Sequence, residues 1–215
     1  MKQSFMHMSL VVGVALMLSS ATGCVKKSEL RYLDFQVKQP AAQSTEMEPV
    51  TIVIEPFEDE RADKTRIGTR THLWGGITHF DVVGGRPAEM ISQALVNRLK
   101  ARGWGNRAWN VRLGHAASAS DTDIVISGQV QDFSAGAKSR VFSTVIEAKS
   151  RLMIQAKNAS DKSTTTRSIE GARTRTVFWF DEQDVQELLA ATLDDGIDRF
   201  IADTVVEQKA LRPVR

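Results

Sequence analysis

The sequence predicts an α+β domain, in which a mainly antiparallel sheet carries two amphipathic helices packed on one face. Two segments have apolar residues at helical spacing, and several others alternate apolar and polar residues as half-buried strands do. These segments follow one another in the order strand, helix, three or four meandering strands, helix. A single domain of this kind accounts for residues 50–206.

Four segments have the period-two pattern of strands. The first covers residues 50–55 and ends at Pro56, and the other three cover 123–134, 142–157 and 163–179. Turns are predicted at 135–137, which is small and Gly-containing, and at 158–162. The segment 142–157 places apolar residues on one face and charged residues on the other, which is typical of an antiparallel strand with one face in water. A short apolar stretch at 30–37 could add an edge strand.

Two helices complete the predicted domain. The first begins at Pro87, since proline is favoured at the first helical position, and closes at Gly103. The second is capped by Asp181, with Asp184 near the capping-box position, and its apolar stripe continues to Val205. Residues 207–215 are predicted to form a loose C-terminal tail.

Residues 1–23 have the organisation of a signal peptide. An apolar run at 8–18 follows Lys2, and it is shorter than the roughly 20 residues that span a bilayer. Small residues then lead to the cysteine in Ala21-Thr22-Gly23-Cys24, which resembles the bacterial lipobox. This resemblance implies cleavage before Cys24, a diacylglycerol and palmitate anchor on it, and a tether over residues 24–49. The alternatives are an ordinary secretory signal and an uncleaved N-terminal anchor.

The single cysteine and the net charge limit the cellular locations and the classes of partner that we expect for the protein. Cys24 is the only cysteine, and a lipid on its thiol explains its position better than a free reactive thiol would. Val25 rather than Asp follows it, which by resemblance to the sorting rules of enteric bacteria favours the outer membrane, with the domain facing the periplasm. Cleavage removes only one charged residue, Lys2, so the mature chain is nearly neutral and no nucleic-acid partner is expected.

A first candidate binding surface is the segment 69–85, which is predicted to be a long loop within an irregular stretch at 58–86. Long loops on rigid scaffolds commonly carry binding residues. This one contains Trp74, His79 and Phe80 between glycines, and exposed aromatic residues often anchor interfaces. The alternative is that Trp74 and Phe80 fold back to form a satellite core.

A second candidate surface is a basic stripe formed by Arg167, Arg173 and Arg175, which would line up with Lys149 and Arg151. Such a stripe could bind lipid head groups or polysaccharide. The alternative is the solvated face of the sheet, with acidic residues on neighbouring strands balancing the arginines.

Candidate catalytic and metal-binding groups are sparse. His72, His79 and Asp81 have the chemistry of metal ligands, but their spacing fits no compact motif. No serine lies in a Gly-x-Ser-x-Gly elbow, and no Gly-rich run has the P-loop form. We therefore expect no enzyme activity, no metal and no cofactor.

Most of residues 50–205 resembles the YajG family of bacterial lipoproteins. The resemblance depends on an ordered set of segments: residues 57–61, the helix at 87–104, residues 124–126, the strand at 145–155, residues 167–171 and the helix around 192–197. It implies a periplasm-facing α+β domain without known catalysis. We expect a non-enzymatic envelope lipoprotein that acts as a binding or accessory module for an envelope protein or a glycan. The alternative is an auxiliary lipoprotein of a lipid or ABC-type transport system, which would need a large apolar cavity for acyl chains.

Overall fold

The computed structural model describes residues 28–35, 47–115 and 121–214. The predicted signal peptide, Cys24 and much of the predicted tether lie outside these ranges. The strands are β1 (Glu29–Leu33), β2 (Met47–Ile54), β3 (Glu58–Asp59), β4 (Gly68–Thr71), β5 (Ile77–Val82), β6 (Ala108–Leu113), β7 (Ile124–Arg140), β8 (Ser143–Asn158), β9 (Thr164–Val177), β10 (Thr204–Glu207) and β11 (Ala210–Pro213). The helices are α1 (Pro87–Arg102) and α2 (Glu182–Ala202), and a 3₁₀ turn covers Trp104–Asn106.

Strand β7 organises the sheet. One of its edges pairs with β8 in the antiparallel sense, and β8 pairs with β9 in the same sense. The other edge of β7 pairs in succession with β2, β3 and β4, all of them parallel to it. Strand β6 runs parallel to β2, β5 runs antiparallel to β4, and β1 runs parallel to β5.

The sheet is therefore mixed, and the prediction of a mainly antiparallel sheet is wrong. Between β2 and β6 the chain forms β3, β4, β5 and then helix α1, and this long connection returns it to the end of the sheet at which β2 started. Strand β6 consequently runs parallel to β2. Strands β1 and β9 both contact α2, although they lie at opposite ends of the strand order, because the sheet curls around that helix as a half barrel.

The β7–β8 hairpin is longer than predicted. Residues 135–137, predicted as a turn, continue β7, and the chain reverses at Val141 and Phe142 instead. Strand β4 approaches the backbone of this part of β7 closely. A Cβ atom on Gly68 would lie only 1.9 Å from the carbonyl oxygen of Ala135.

Both helices cover the same face of the sheet and share one apolar core, which confirms that part of the fold prediction. Helix α1 begins at Pro87 as predicted, and Asp181 and Asp184 form the predicted capping box of α2. On β8 every second side chain is buried, as the alternation predicts. A bulge after Val130 resets the alternation on β7, so that Val130 and Phe133 both point into the core.

The C-terminal residues form a hairpin, so the predicted loose tail is wrong for residues up to 214. Strands β10 and β11 pair with each other, and Leu211 is completely buried. The side-chain amide of Asn158 donates to the carbonyl oxygen of Leu211 at 3.1 Å, and its oxygen accepts from the Leu211 N–H at 2.8 Å. Helix α2 ends at Ala202, which places Val205 on β10 rather than on the predicted helical stripe.

Candidate functional site

Three chain connections meet at one end of the sheet. They are the β4–β5 turn, the β7–β8 turn and the segment between β9 and α2. Backbone pairing places them there, because the last pairs at this end are Thr71–Ile77, Arg140–Ser143 and Thr144–Val177. We call this surface the aromatic end and define it by seven residues: Leu73, Trp74, Ile77, Val141, Phe142, Phe178 and Trp179.

The aromatic end exposes large apolar side chains. The exposed fraction is 89% for Trp74, 84% for Phe142, 81% for Phe178 and 91% for Trp179. Twelve large apolar side chains are exposed in the described part of the chain, and seven of them belong to this surface. Scattered single exposures are ordinary in proteins, whereas a contiguous apolar surface marks an interaction site.

A packed base supports these exposed side chains. Phe180, directly after Trp179, stacks on the buried ring of Phe80 with centroids 6.3 Å apart. The guanidinium of Arg70 lies 3.8 Å above the Phe180 ring, and its Nε donates to Ser139 Oγ at 3.1 Å. Partial burial lowers the pKa of the Arg70 guanidinium from its usual value, and the charge of Glu182 acts in the opposite direction. The β4–β5 hairpin and the start of α2 are thereby fixed to each other.

The segment 69–85 is not the predicted long loop, because most of it forms the β4–β5 hairpin. Trp74 lies exposed in the turn, whereas Phe80 faces the core and is completely buried. His79 lies on the opposite face of β5, where Arg66 donates to its Nδ1 at 2.7 Å. The three candidates therefore do not form one surface. The alternative of a satellite core is not seen either, because Phe80 is part of the main core and Trp74 is exposed.

The candidate metal ligands His72, His79 and Asp81 make hydrogen bonds to different neighbours. The Nε2 atom of His72 lies 2.8 Å from Thr78 Oγ1, and Asp81 accepts from the backbone N–H of Val82 at 2.8 Å. Within residues 28–35, 47–115 and 121–214, no three His, Cys, Asp or Glu side chains are grouped as metal ligands would be. His72, His79 and Asp81 therefore do not come together.

The predicted alignment of the arginines with Lys149 and Arg151 is wrong. Arg173 pairs across strands with Ala148, and Arg175 pairs with Ile146, so both lie on the face that carries the helices. They form ion pairs with α2, from Arg173 to Asp195 at 2.7 Å and from Arg175 to Glu187 at 3.0 Å.

Arg167 and Arg151 lie on opposite faces of the sheet. Arg167 pairs with Ile154 on the helix-bearing face, and its Nε is buried without a hydrogen-bond partner. Arg151 instead lies on the open face, where it forms an ion pair with Glu170 at 2.8 Å. One-residue differences in register decide these placements, because adjacent side chains on a strand point to opposite faces.

A groove of about 690 Å³ lies between the end of β1 and α2. Ten residues line it, and five of them are acidic: Asp34, Asp181, Glu182, Glu187 and Asp194. Burial, reinforced by the charge of Asp198, raises the pKa of Asp194. Ionisable carboxyls in this number do not suit an acyl chain, so the groove does not supply the apolar cavity that a lipid-handling subunit would need.

Sequence reasoning missed Phe142, Phe178 and Trp179. All three follow directly or closely upon strands, at positions where polar turn residues are usual. The signal was therefore an unusual residue type at a strand end. Recognising the shared surface also required the pairing registers, because these residues are far apart in the sequence.

The fold has relatives among solved structures. A Xanthomonas campestris protein of the DUF330 family is similar to this chain with a TM-score of 0.54 and 11% identity, over 80% of this chain and 92% of that one. A putative neuraminyllactose-binding hemagglutinin homolog from Helicobacter pylori gives 0.49 and 8%, over 82% and 94% of the respective chains. A lipoprotein from Neisseria meningitidis gives 0.35 and 12%, over 68% and 97%.

No protein-family model and no curated protein matches the sequence. None of the helices in the described ranges has both the length and the apolar character required to cross a membrane. At 11% identity the likeness to the Xanthomonas protein concerns the fold alone.

Proposed function

We propose that this chain is a lipid-anchored, non-enzymatic binding or accessory module of the bacterial cell envelope. The lipid would be carried by Cys24, in the lipobox-like sequence Ala21-Thr22-Gly23-Cys24. Several acyl chains on one residue would anchor the domain firmly, whereas a single chain gives only marginal binding. The YajG-type assignment and an outer-membrane position facing the periplasm belong to this proposal, and the ordered segments and Val25 support them.

The aromatic end is the observation that carries the binding role. Trp74, Phe142 and Trp179 are highly exposed, and they lie beside a packed base in which Phe180 stacks on Phe80. Aromatic residues of this kind lose little conformational entropy on binding, and they are the usual anchors of interfaces.

The open face of β7–β9 is the surface we assign to an envelope protein or a glycan. Successive side chains along these strands alternate between the buried face and this open face. Exposed residues such as Lys149, Thr166 and Thr174 lie on the open face. Glu170 and Arg151 pair across it. Hydroxyl, amide and charged groups on this open face suit polar recognition with many hydrogen bonds.

Metabolic labelling with a fatty-acid analogue tests the anchor. We expect label on the wild type and none on Cys24→Ser, which should accumulate as unprocessed precursor. Val25→Ala is the matched control, because it changes the neighbouring residue and leaves the thiol in place. Equal labelling of Cys24→Ser and the wild type would refute the proposal.

A further inference from the structure

Strand β1 begins at the aromatic end. Its first residue, Glu29, pairs with Thr78, one residue after Ile77 at the start of β5. Cys24 lies five residues before Glu29, and five extended residues span at most about 17 Å. A lipid on Cys24 would therefore hold the bilayer surface within this distance of the β1 start, and so near the exposed aromatic side chains.

We propose that the aromatic end docks directly onto the bilayer that holds the Cys24 lipid, with Trp74, Phe142 and Trp179 entering the interfacial layer. This inference rests on the proposed lipid anchor. Tryptophan is favoured at membrane interfaces because its ring is apolar and its N–H still reaches a polar partner. The domain would then be oriented by its lipid and by three turns, rather than tethered at one point.

The exposed apolar side chains are spread over a distance that suits contact with a bilayer surface more than with a small ligand. Six strands reach this end, in the order β1, β5, β4, β7, β8, β9, and five spacings of about 4.8 Å give about 24 Å along the edge before curling. The apolar side chains come from connections distributed along this edge. A bilayer can meet all of them together, since its surface extends well beyond the domain.

Charge near the aromatic end is compatible with anionic phospholipids. Lys138 and Arg140 are exposed at the end of β7, and Lys26 and Lys27 lie in the short linker sequence. Basic residues beside a membrane are attracted to anionic head groups. The nearby carboxylate of Glu29 is paired with Arg31 at 2.7 Å.

The carboxylates at the α2 N-terminus are also engaged. Asp181 and Asp184 form the capping box, and Glu182 lies 3.8 Å from the Arg31 guanidinium. Their charge is partly balanced by backbone N–H groups and by arginine. They therefore oppose docking less than unpaired carboxylates would.

Tryptophan fluorescence can test the docking with the mature lipoprotein reconstituted into phosphatidylethanolamine–phosphatidylglycerol vesicles. The chain has four tryptophans. Trp74 and Trp179 lie at the aromatic end, whereas Trp104 and Trp109 are buried. Trp109 lies beside the start of β2, near the beginning of β7 and so far from the aromatic end. These two residues act as an internal reference.

Brominated acyl chains quench only the tryptophans that enter the membrane. We expect brominated vesicles to quench about half of the wild-type emission, because two of the four tryptophans are interfacial in this arrangement. The double variant Trp74→Phe/Trp179→Phe should be quenched little. The substitutions keep aromatic side chains at exposed positions, and circular dichroism and flotation confirm that the variant is folded and vesicle-bound.

The outcomes separate docking from anchoring. Equal quenching of the wild type and the double variant, with both proteins floating with the vesicles, would overturn docking while the lipid anchor stands. Crosslinked dimers without quenching would also overturn it, since a second copy would then cover the aromatic end. A protein without lipid on Cys24 by mass spectrometry would overturn the proposed function and docking together.

Discussion

Replacing Gly171 by alanine tests how closely α2 packs against the sheet. Gly171 lies on the helix-bearing face of β9, and a Cβ atom there would be 2.5 Å from the carbonyl oxygen of Thr192 and 2.9 Å from Ser150 Oγ. The Ser150 hydroxyl already donates to that carbonyl, at 3.3 Å. A backbone atom within a long helix cannot yield alone, so the added methyl group must displace α2 from β9. Overpacking of this kind costs about 1–3 kcal/mol of unfolding free energy.

Thermal unfolding, with urea titration as a second measure, gives the readout. A domain of this size loses about 2–4 °C of melting temperature per kcal/mol, so Gly171→Ala should lower the midpoint by about 2–12 °C. The matched control is Gly136→Ala on the open face of β7, where an added Cβ meets nothing within 4 Å. Alanine is favoured over glycine inside a strand, and the control should be unchanged or up to about 1 kcal/mol more stable. If Gly171→Ala unfolds at the wild-type midpoint, the close approach of α2 to β9 is wrong.

Three further predictions concern packing and pH. Trp74→Ala should leave the melting temperature within about a degree, because the side chain is 89% exposed. Trp104→Ala should cost about 3–5 kcal/mol, since that ring is buried and stays linked to the hairpin at the C-terminus by a hydrogen bond. The hydrogen bonds of Ser163 and the charge of Arg212 lower the pKa of Asp161 to about 2. Because this is below the unfolded value of about 3.9, the carboxylate stabilises the fold above pH 4, and the contribution is lost as the pH falls towards 2. Asp161→Asn should therefore flatten acid unfolding in that window, and an unchanged acid profile would contradict the assignment.

Local signals in the sequence were sufficient for the starts of both helices and for the alternation on β8, but not for the β7–β8 turn, which lies at Val141 and Phe142 instead of 135–137. Pro87 and Asp181 specify where helices begin through the nearest few residues, and both positions agree with the structure. The alternation on β8 also depends on local sequence alone. These features are predictable because their determinants lie within one or two turns or within one strand.

The short strands and the aromatic end could not be predicted in this way, because they depend on pairing between strands that are far apart in the sequence. Strand β4 is formed by Gly68-Thr69-Arg70-Thr71, which has no apolar alternation, and its position follows from β7 some 67 residues later. The faces of Arg173 and Arg175 likewise follow from the β8–β9 register. Phe142 and Trp179 form one surface only because that register brings the two connections to the same end.

The double pairing of β7 has a consequence for hydrogen exchange. Its backbone is bonded to β8 on one side and to β2, β3 and β4 on the other, so no local movement of a single neighbour exposes most of its amides. Among the strands of the described ranges, β1, β6 and β9 each pair with a single neighbour, and they can separate at a lower free-energy cost. Amide protons of residues 124–130 should therefore exchange only when the whole domain unfolds, and their exchange rate would report its global stability without denaturant.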